Sequence, residues 1–211
     1  MRRYVRQIFL WSWVITVPIS LVGSYLLYRA VDRTYTYSVR YGGEKEELQF
    51  ARIARYEASQ LANFLRVNFI KGLGRRETSL KSLHLVVPEA NLAQLESHMP
   101  QSGFEYVKGR MIQEGKLTKV KVKYRGDTFY RWAWDKKSLR VKTSKKSLFE
   151  GIRSVNLLSP RTSEQLNNYL SYRLANMMGV LAPRTELIRL FLNGEDRGVH
   201  TLVEQIKELT L

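Results

Sequence analysis

The chain has 211 residues, enough for one domain of ordinary size with an appendage but too few for two large domains. Its apolar content of 44% argues against disorder, and the absence of cysteine excludes disulfides, thiolate metal centres and a cysteine nucleophile. The formal net charge is +16, and an excess of that size indicates an anionic partner or an anionic surface.

An uncharged apolar segment runs from Gln7 to Tyr28, about the length that a helix needs to cross a bilayer. Aromatic residues lie towards both of its ends, and arginines precede it as cytoplasmic anchors would. A cleaved signal peptide and a buried core helix are the alternatives, but no small-residue cleavage site stands out. We predict that residues 1–40 are an uncleaved single-pass membrane anchor, with the bulk of the chain on the extracytoplasmic side.

Residues 44–71 repeat apolar side chains at spacings of three and four, which predicts a helix. An acidic first turn marks its start, and Gly72 marks its end. We interpret residues 41–79 as a stalk helix and linker, and residues 80–211 as the folded domain that they carry.

Short apolar patterns separated by turns follow from Leu80 onward. They predict strands at 82–87, 138–143 and 154–159, a hairpin that turns at Glu114-Gly115 and a second hairpin that turns at 194–198. Helices are predicted at 91–99 and 163–178, the longer one capped by Ser163 and ended by Gly179. The predicted fold class is therefore α+β, a mainly antiparallel sheet with one principal helix.

The positive charge is concentrated in two places. Residues 1–40 carry +5 and residues 106–146 carry +11, so the remainder of the chain is neutral. Within the second block, Lys119 to Tyr124 alternate lysine with apolar residues, which puts ammonium groups on one face of a strand. Arg125-Gly126 follows, and a glycine between basic strands lets backbone amides approach a phosphate.

Residue types alone leave three readings of this block open. It could be a solvated sheet face, a phosphate site, or a nucleic-acid site in which aromatic residues interleave with the charge. A domain on the extracytoplasmic side has no nucleic acid to bind, which leaves the first two readings.

The order KVKVKYRGDTFYRWAWDKKSLRVKT, then SVNLLSP, then ANMMGVLAPRTELIRLFLNGEDRGVHTLVEQI resembles the CotH family of spore-coat-type atypical protein kinases. The resemblance runs from about Leu80 to Glu208. It implies the first, nucleotide-holding lobe of a kinase-like fold, a transferase that uses ATP with magnesium to phosphorylate protein serine. It also implies that Arg125-Gly126 replaces a glycine-rich loop, that Lys142 meets the phosphates, and that Glu204 leads into the connection beside the adenine.

Each of these assignments has a structural alternative. Arg125 could pair with Asp127 or Asp135. Arg140 competes with Lys142 for the phosphate. Glu204 could satisfy a neighbouring backbone group. The three histidines lack metal-ligand spacing.

Phosphoryl transfer also needs carboxylates that hold magnesium. The resemblance places those acids in a second lobe, whereas this sequence stops at Leu211, a few residues past the second hairpin. Glu164, in the first turn of the main helix, is expected to interact with the helix dipole instead of orienting a lysine. We therefore expect either a fragment of a longer kinase or a chain that kept the nucleotide lobe without the chemistry.

The predicted function is that of a membrane-anchored CotH-like kinase homologue at the cell envelope. Its predicted phosphate contacts are Arg125, Gly126, Arg140 and Lys142, and an envelope protein is its expected substrate. The alternative is a non-catalytic envelope module whose basic sheet face docks an acidic protein, an anionic polymer or lipid headgroups.

Overall fold

The computed structural model describes residues 2–36, 50–72, 79–97, 99, 105–113, 115–126, 136–160 and 166–205. The chain divides into two units, Met1–Glu77 and Thr78–Leu211. The first unit contains helix α1 at Arg2–Tyr35 and helix α2 at Phe50–Gly72. Helix α2 confirms most of the helix predicted at 44–71, whose first six residues lie outside the described ranges.

Helix α1 includes the predicted span and continues through Pro18, a residue that membrane-spanning helices tolerate. Its stretch Phe9–Tyr35 is long and apolar enough to cross a bilayer by length and composition, and no described residue of its most apolar window is buried. A signal sequence near the N-terminus meets the same criteria. The stretch Phe9–Tyr35 is therefore a candidate membrane span.

Helices α1 and α2 pack against each other, and a buried carboxylate lies between them. Glu57 of α2 lies 3.5 Å from the Nε atoms of both Arg29 and Arg33 of α1, and its side chain is only 6% exposed. A carboxylate at that depth requires opposite charge, because desolvation of an unpaired ion is costly. The two arginines at the end of α1 therefore help to dock α2.

The second unit combines strands with two helices among its described residues. These elements are β1 Lys81–Val86, α3 Glu89–Ser97, β2 Val107–Gln113, β3 Lys116–Tyr124, β4 Leu139–Thr143, β5 Ser154–Leu158, α4 Asn167–Met177, β6 Thr185–Leu192 and β7 Glu195–Glu204. The predicted α+β class and both predicted hairpins are confirmed, but the second hairpin turns at Asn193-Gly194 and not at 194–198. Ser163 and Glu164 lie outside the described ranges, and the helix ends before Gly179, whose φ of +72° suits glycine.

The sheet closes into a barrel, which the sequence analysis did not predict. The strand order is β1-β2-β3-β4-β5-β7-β6, and β6 pairs with β1 to complete the ring. The closing pair is parallel, whereas the other described strand pairs are antiparallel. Its strands lie far apart in sequence, so no local pattern indicates that they pair.

Asn193, in the turn between β6 and β7, secures this closure. Its Oδ1 accepts a hydrogen bond from the Val87 N–H at 2.7 Å, and its Nδ2 donates to the Val87 carbonyl at 2.8 Å. Its own N–H donates to the Leu85 carbonyl at 2.8 Å. One side chain thus satisfies the backbone of a residue 106 positions away, immediately after β1.

Alternation along the strands separates the core from an outer face. On β3 the side chains of Val120, Val122 and Tyr124 are buried, whereas those of Lys119 and Lys121 are exposed. This confirms the predicted apolar and basic faces of the strand. The core also includes Leu83, Leu85, Met111, Leu139, Val141, Val155, Leu157, Ile188, Leu190 and Leu202.

Gly109 on β2 lies between buried Val107 and Met111, where the barrel wall approaches the end of β1. A Cβ at Gly109 would lie 3.1 Å from Val87 Cγ2 and 3.2 Å from the Val86 carbonyl oxygen. Because one of these neighbours is backbone, we expect Gly109→Ala to lower the free energy of unfolding by about 1–3 kcal/mol. Urea denaturation of the full chain in a neutral detergent measures this, with exposed Ser82→Ala as a near-silent control. A Gly109→Ala variant as stable as the original chain would contradict the close approach.

Candidate functional site

The outward side chains of β2, β3 and β4 form a continuous cationic surface, which we call the basic face. The antiparallel registers place like charges directly opposite one another on neighbouring strands. The residues of the basic face are Lys108, Arg110, Lys119, Lys121, Lys123, Arg140 and Lys142. Two of the predicted phosphate contacts, Arg140 and Lys142, therefore share one surface.

A chain of hydrogen bonds holds Arg140 at the β4–β5 side of this face. Its Nε donates to Asn156 Oδ1 at 2.7 Å, and Asn156 Nδ2 donates to Gln205 Oε1 at 3.0 Å. Asn156 is only 3% exposed, so its amide is fixed in the sheet surface. Because the bond uses Nε, the two terminal nitrogens of the guanidinium form no hydrogen bond with a described residue.

Tyr106, the residue before β2, brings two lysines of the basic face together. The Lys123 ammonium lies 4.9 Å from the centre of the tyrosine ring, and the Lys142 ammonium lies 5.8 Å from it. Each distance is within the range of a cation–π interaction. Lys123 also pairs across the strands with Arg140. The Tyr106 ring therefore brings the Lys142 ammonium towards that of Lys123, the residue opposite Arg140.

The Arg125-Gly126 segment leaves β3 at the same end of the sheet. The Arg125 N–H donates to the Ser138 carbonyl at 2.9 Å, one residue before β4 begins. Gly126 has a φ of +117°, a conformation that favours glycine. The register therefore places the segment two residues beyond the Lys123–Arg140 pair. Asp127 and Asp135, the alternative partners of Arg125, lie outside the described ranges.

Glu204 does not join this group. Its register partner is Val155, whose side chain is buried in the core, whereas Asn156 pairs with Val203. The Glu204 carboxylate accepts a hydrogen bond from the Arg184 N–H at 3.4 Å, and the Glu204 N–H donates to the Arg184 carbonyl at 2.9 Å. The structure thus agrees with the alternative in which Glu204 satisfies neighbouring backbone, and Gln205 takes the place beside Asn156.

Sequence reasoning missed Asn156, Gln205 and Tyr106 as members of the site. A signal existed for Asn156, because an asparagine inside the apolar run SVNLLS needs a polar partner when the strand is buried. Gln205 and Tyr106 flank strands and carry no comparable signal. Their roles depend on which strands are neighbours.

The described residues suit phosphate better than they suit magnesium. Arginine and lysine are the usual phosphate donors, and both types project from the basic face. Among the residues that the structure places, no three His, Asp or Glu side chains cluster in a way that could hold a metal ion. His84 stacks on Phe191 with ring centres 4.5 Å apart, and His200 is buried, so both have structural surroundings.

Comparison with known proteins supports the resemblance that the motifs suggested. The family model described as CotH kinase protein matches residues 122–211, less than half of the chain. The match includes the end of β3 and everything after it, and therefore all of the predicted phosphate contacts. No curated protein matches the chain. Over residues 122–211 the chain is CotH-like.

A separate ion-pair cluster lies at the start of β1 and β6. Glu150 pairs with Arg184 and, at 3.4 Å, with Lys81, and Gln113 Nε2 donates to its Oε1 at 2.8 Å. Burial acts to raise the pKa of Glu150, but the Gln113 hydrogen bond and the charges of Arg184 and Lys81 outweigh it and lower the pKa. The carboxylate form is therefore favoured in the folded chain.

A carboxyl group with a lowered pKa contributes stability above its unfolded pKa, and that contribution disappears as the pH falls through the folded value. We expect Glu150→Gln to lower the free energy of unfolding by about 1 kcal/mol at neutral pH. The difference from the original chain should shrink below about pH 4. Denaturation at a series of pH values measures this, with Glu195→Gln, which breaks the more exposed Glu195–Arg197 ion pair, as the matched control. A difference that stays constant or grows with acid would exclude the ionised Glu150 cluster as its source.

Proposed function

We propose that the second unit binds the phosphates of a nucleotide, as the first lobe of a CotH-like protein kinase homologue at the cell envelope. The observation that carries the proposal is the meeting of three features at one end of the sheet. These are Arg140 held by Asn156, Lys142 beside Tyr106, and the Arg125-Gly126 segment. All but Tyr106 lie within the region that the CotH family model matches.

The chemistry of each group suits a different part of a polyphosphate. A guanidinium held through Nε presents its two terminal nitrogens as a planar fork, which matches two phosphate oxygens. An ammonium acts as a point charge that tolerates a range of phosphate positions. A glycine with positive φ allows the chain to pass close to a phosphate without a Cβ in the way. Protein kinases combine a glycine-rich loop with a strand lysine in the same manner.

The proposal covers nucleotide binding and assigns no transfer step to the described residues. Magnesium, when present, neutralises charge on the phosphates during transfer to a serine hydroxyl. The CotH resemblance implies that carboxylates of a second lobe would hold it. In this proposal Glu204 fixes the end of β7 through the Arg184 backbone, next to the segment that would approach the adenine.

We further propose that α1 anchors the chain in the cell membrane, with residues 41–79 as stalk and residues 80–211 as an extracytoplasmic domain. The exposed apolar surface of Phe9–Tyr35 supports the anchor, since lipid-facing helices carry such a surface. An envelope protein would be the phosphate acceptor in that location. Fusion of reporter domains to each end of the chain tests the orientation.

Binding of ATP tests the nucleotide proposal directly. We expect ATP with magnesium to raise the Tm of the full chain in neutral detergent, because a ligand that binds only the folded state stabilises it. Lys142→Ala should weaken ATP binding by about 10- to 100-fold, the effect of losing a charge-assisted contact. Thermal shift and isothermal titration measure both quantities.

Lys146→Ala is the matched control. Lys146 is an exposed lysine in the turn after β4, so its substitution removes the same charge outside the proposed site. We expect it to leave ATP binding nearly unchanged. No thermal shift at millimolar ATP, or an equal loss in both variants, would overturn the proposed phosphate site.

A further inference from the structure

A wide groove crosses the basic face, and of the phosphate contacts in the nucleotide proposal it includes Lys142 alone. It has a volume of about 1120 Å³ and extends over the end of β1, β2, β3 and the end of β4. Its described lining includes a single carboxylate, that of Glu89, and the basic side chains Lys108, Arg110, Lys119, Lys121, Lys142 and Arg153. Such an imbalance of charge in a concave surface attracts anions.

The strand registers of the groove place cations directly against cations. Lys121 lies opposite Lys108 on one side and Lys142 on the other, and Lys119 lies opposite Arg110. Like charges at directly opposed positions destabilise a sheet. Within the described ranges, Lys108, Arg110, Lys119 and Lys121 form no ion pair that would offset this repulsion. The folded domain therefore carries a repulsion that a bound anion would relieve.

The groove also has an apolar side, which limits the kinds of anionic ligand that are complementary to it. Val86 is 44% exposed at the end of β1, and Pro88 beside it is exposed as well. Both line the groove. A polymer of phosphate has no apolar group for this side, and a flat bilayer is not complementary to a concave surface. A peptide that alternates acidic and apolar side chains fits both features.

The size of the groove fits a short extended segment. The distance from β1 to β4 is three strand spacings, roughly 14 Å. An extended chain covers that distance in about four residues at roughly 3.3 Å per residue. Each pair of opposed cations, Lys108 with Lys121 and Arg110 with Lys119, would then contact one or two carboxylates of the segment.

We propose that this groove binds an extended acidic peptide segment of a protein partner, with carboxylates at Lys108, Arg110, Lys119 and Lys121 and an apolar side chain against Val86. The proposal is independent of nucleotide. It uses four cations that the phosphate site does not, so either proposal can fail without the other.

The test uses the full chain in neutral detergent and a fluorescein-labelled peptide of sequence Glu-Val-Glu-Leu-Glu-Val. Fluorescence anisotropy should show saturable binding that weakens as salt is raised, because salt screens exposed charge. We expect the double variant Lys119→Gln/Lys121→Gln to bind at least about 10-fold more weakly, the loss that follows when charge-assisted contacts are removed. The control variant Lys116→Gln/Lys146→Gln removes the same charge outside the groove and should bind as the original chain does.

A second measurement separates loss of binding from loss of folding. Because Lys119→Gln/Lys121→Gln removes opposed like charges, its Tm should rise by a few degrees while peptide binding falls. A lower Tm would show that these lysines do not destabilise the folded domain by repulsion, and it would overturn the proposal. Equal loss of binding in both double variants would show attraction to net charge alone and would overturn the groove. If inorganic polyphosphate or anionic lipid vesicles bound through the same lysines more tightly than the peptide does, the acidic-peptide proposal would be overturned in favour of that ligand class.

Discussion

The register between β3 and β4 determines which charged side chains of these two strands lie opposite one another in the candidate site. It sets Lys121 against Lys142 and Lys123 against Arg140, while the alternate residues Val122 and Val141 pair inside the barrel. A slip of one residue would move the lysines into the core and the valines to water, which the energy of apolar burial forbids. The core therefore holds the cations together, even though they repel one another.

Closure of the barrel by β1 and β6 stabilises the β3–β4 register. The parallel pairing of β1 with β6 and the bonds of Asn193 to Val87 complete the ring that encloses the core. A closed ring leaves no free sheet edge at which a strand could shift. The pairing of β1 with β2 sets Val86 opposite Arg110 at the margin of the basic face. Strand β1 therefore takes part in closing the barrel and also supplies the apolar side of the groove.

Much of the fold followed from local patterns, and the site followed only in part. Lys119 to Tyr124 alternate by residue type, so the basic face of β3 was predictable from a period of two. Arg140 and Lys142 were predictable for the same reason on β4. The inward-facing position of Glu204 was not predictable from the sequence, because it depends on the pairing of β7 with β5. The chain from Arg140 through Asn156 to Gln205 likewise joins three strands that lie apart in sequence.

The sequence by itself determined the apolar N-terminal helix, most strands, the concentration of charge in residues 106–146 and the CotH-like motifs. Each of these is a local property, set by side-chain chemistry and by the spacing of neighbours along one element. Only the tertiary structure decided the closed barrel, the separation of Glu204 from Arg140, and the alignment of cations across three strands. These features depend on which distant strands pair and in which register, and the free energy that selects a register comes from the whole core and not from any single strand.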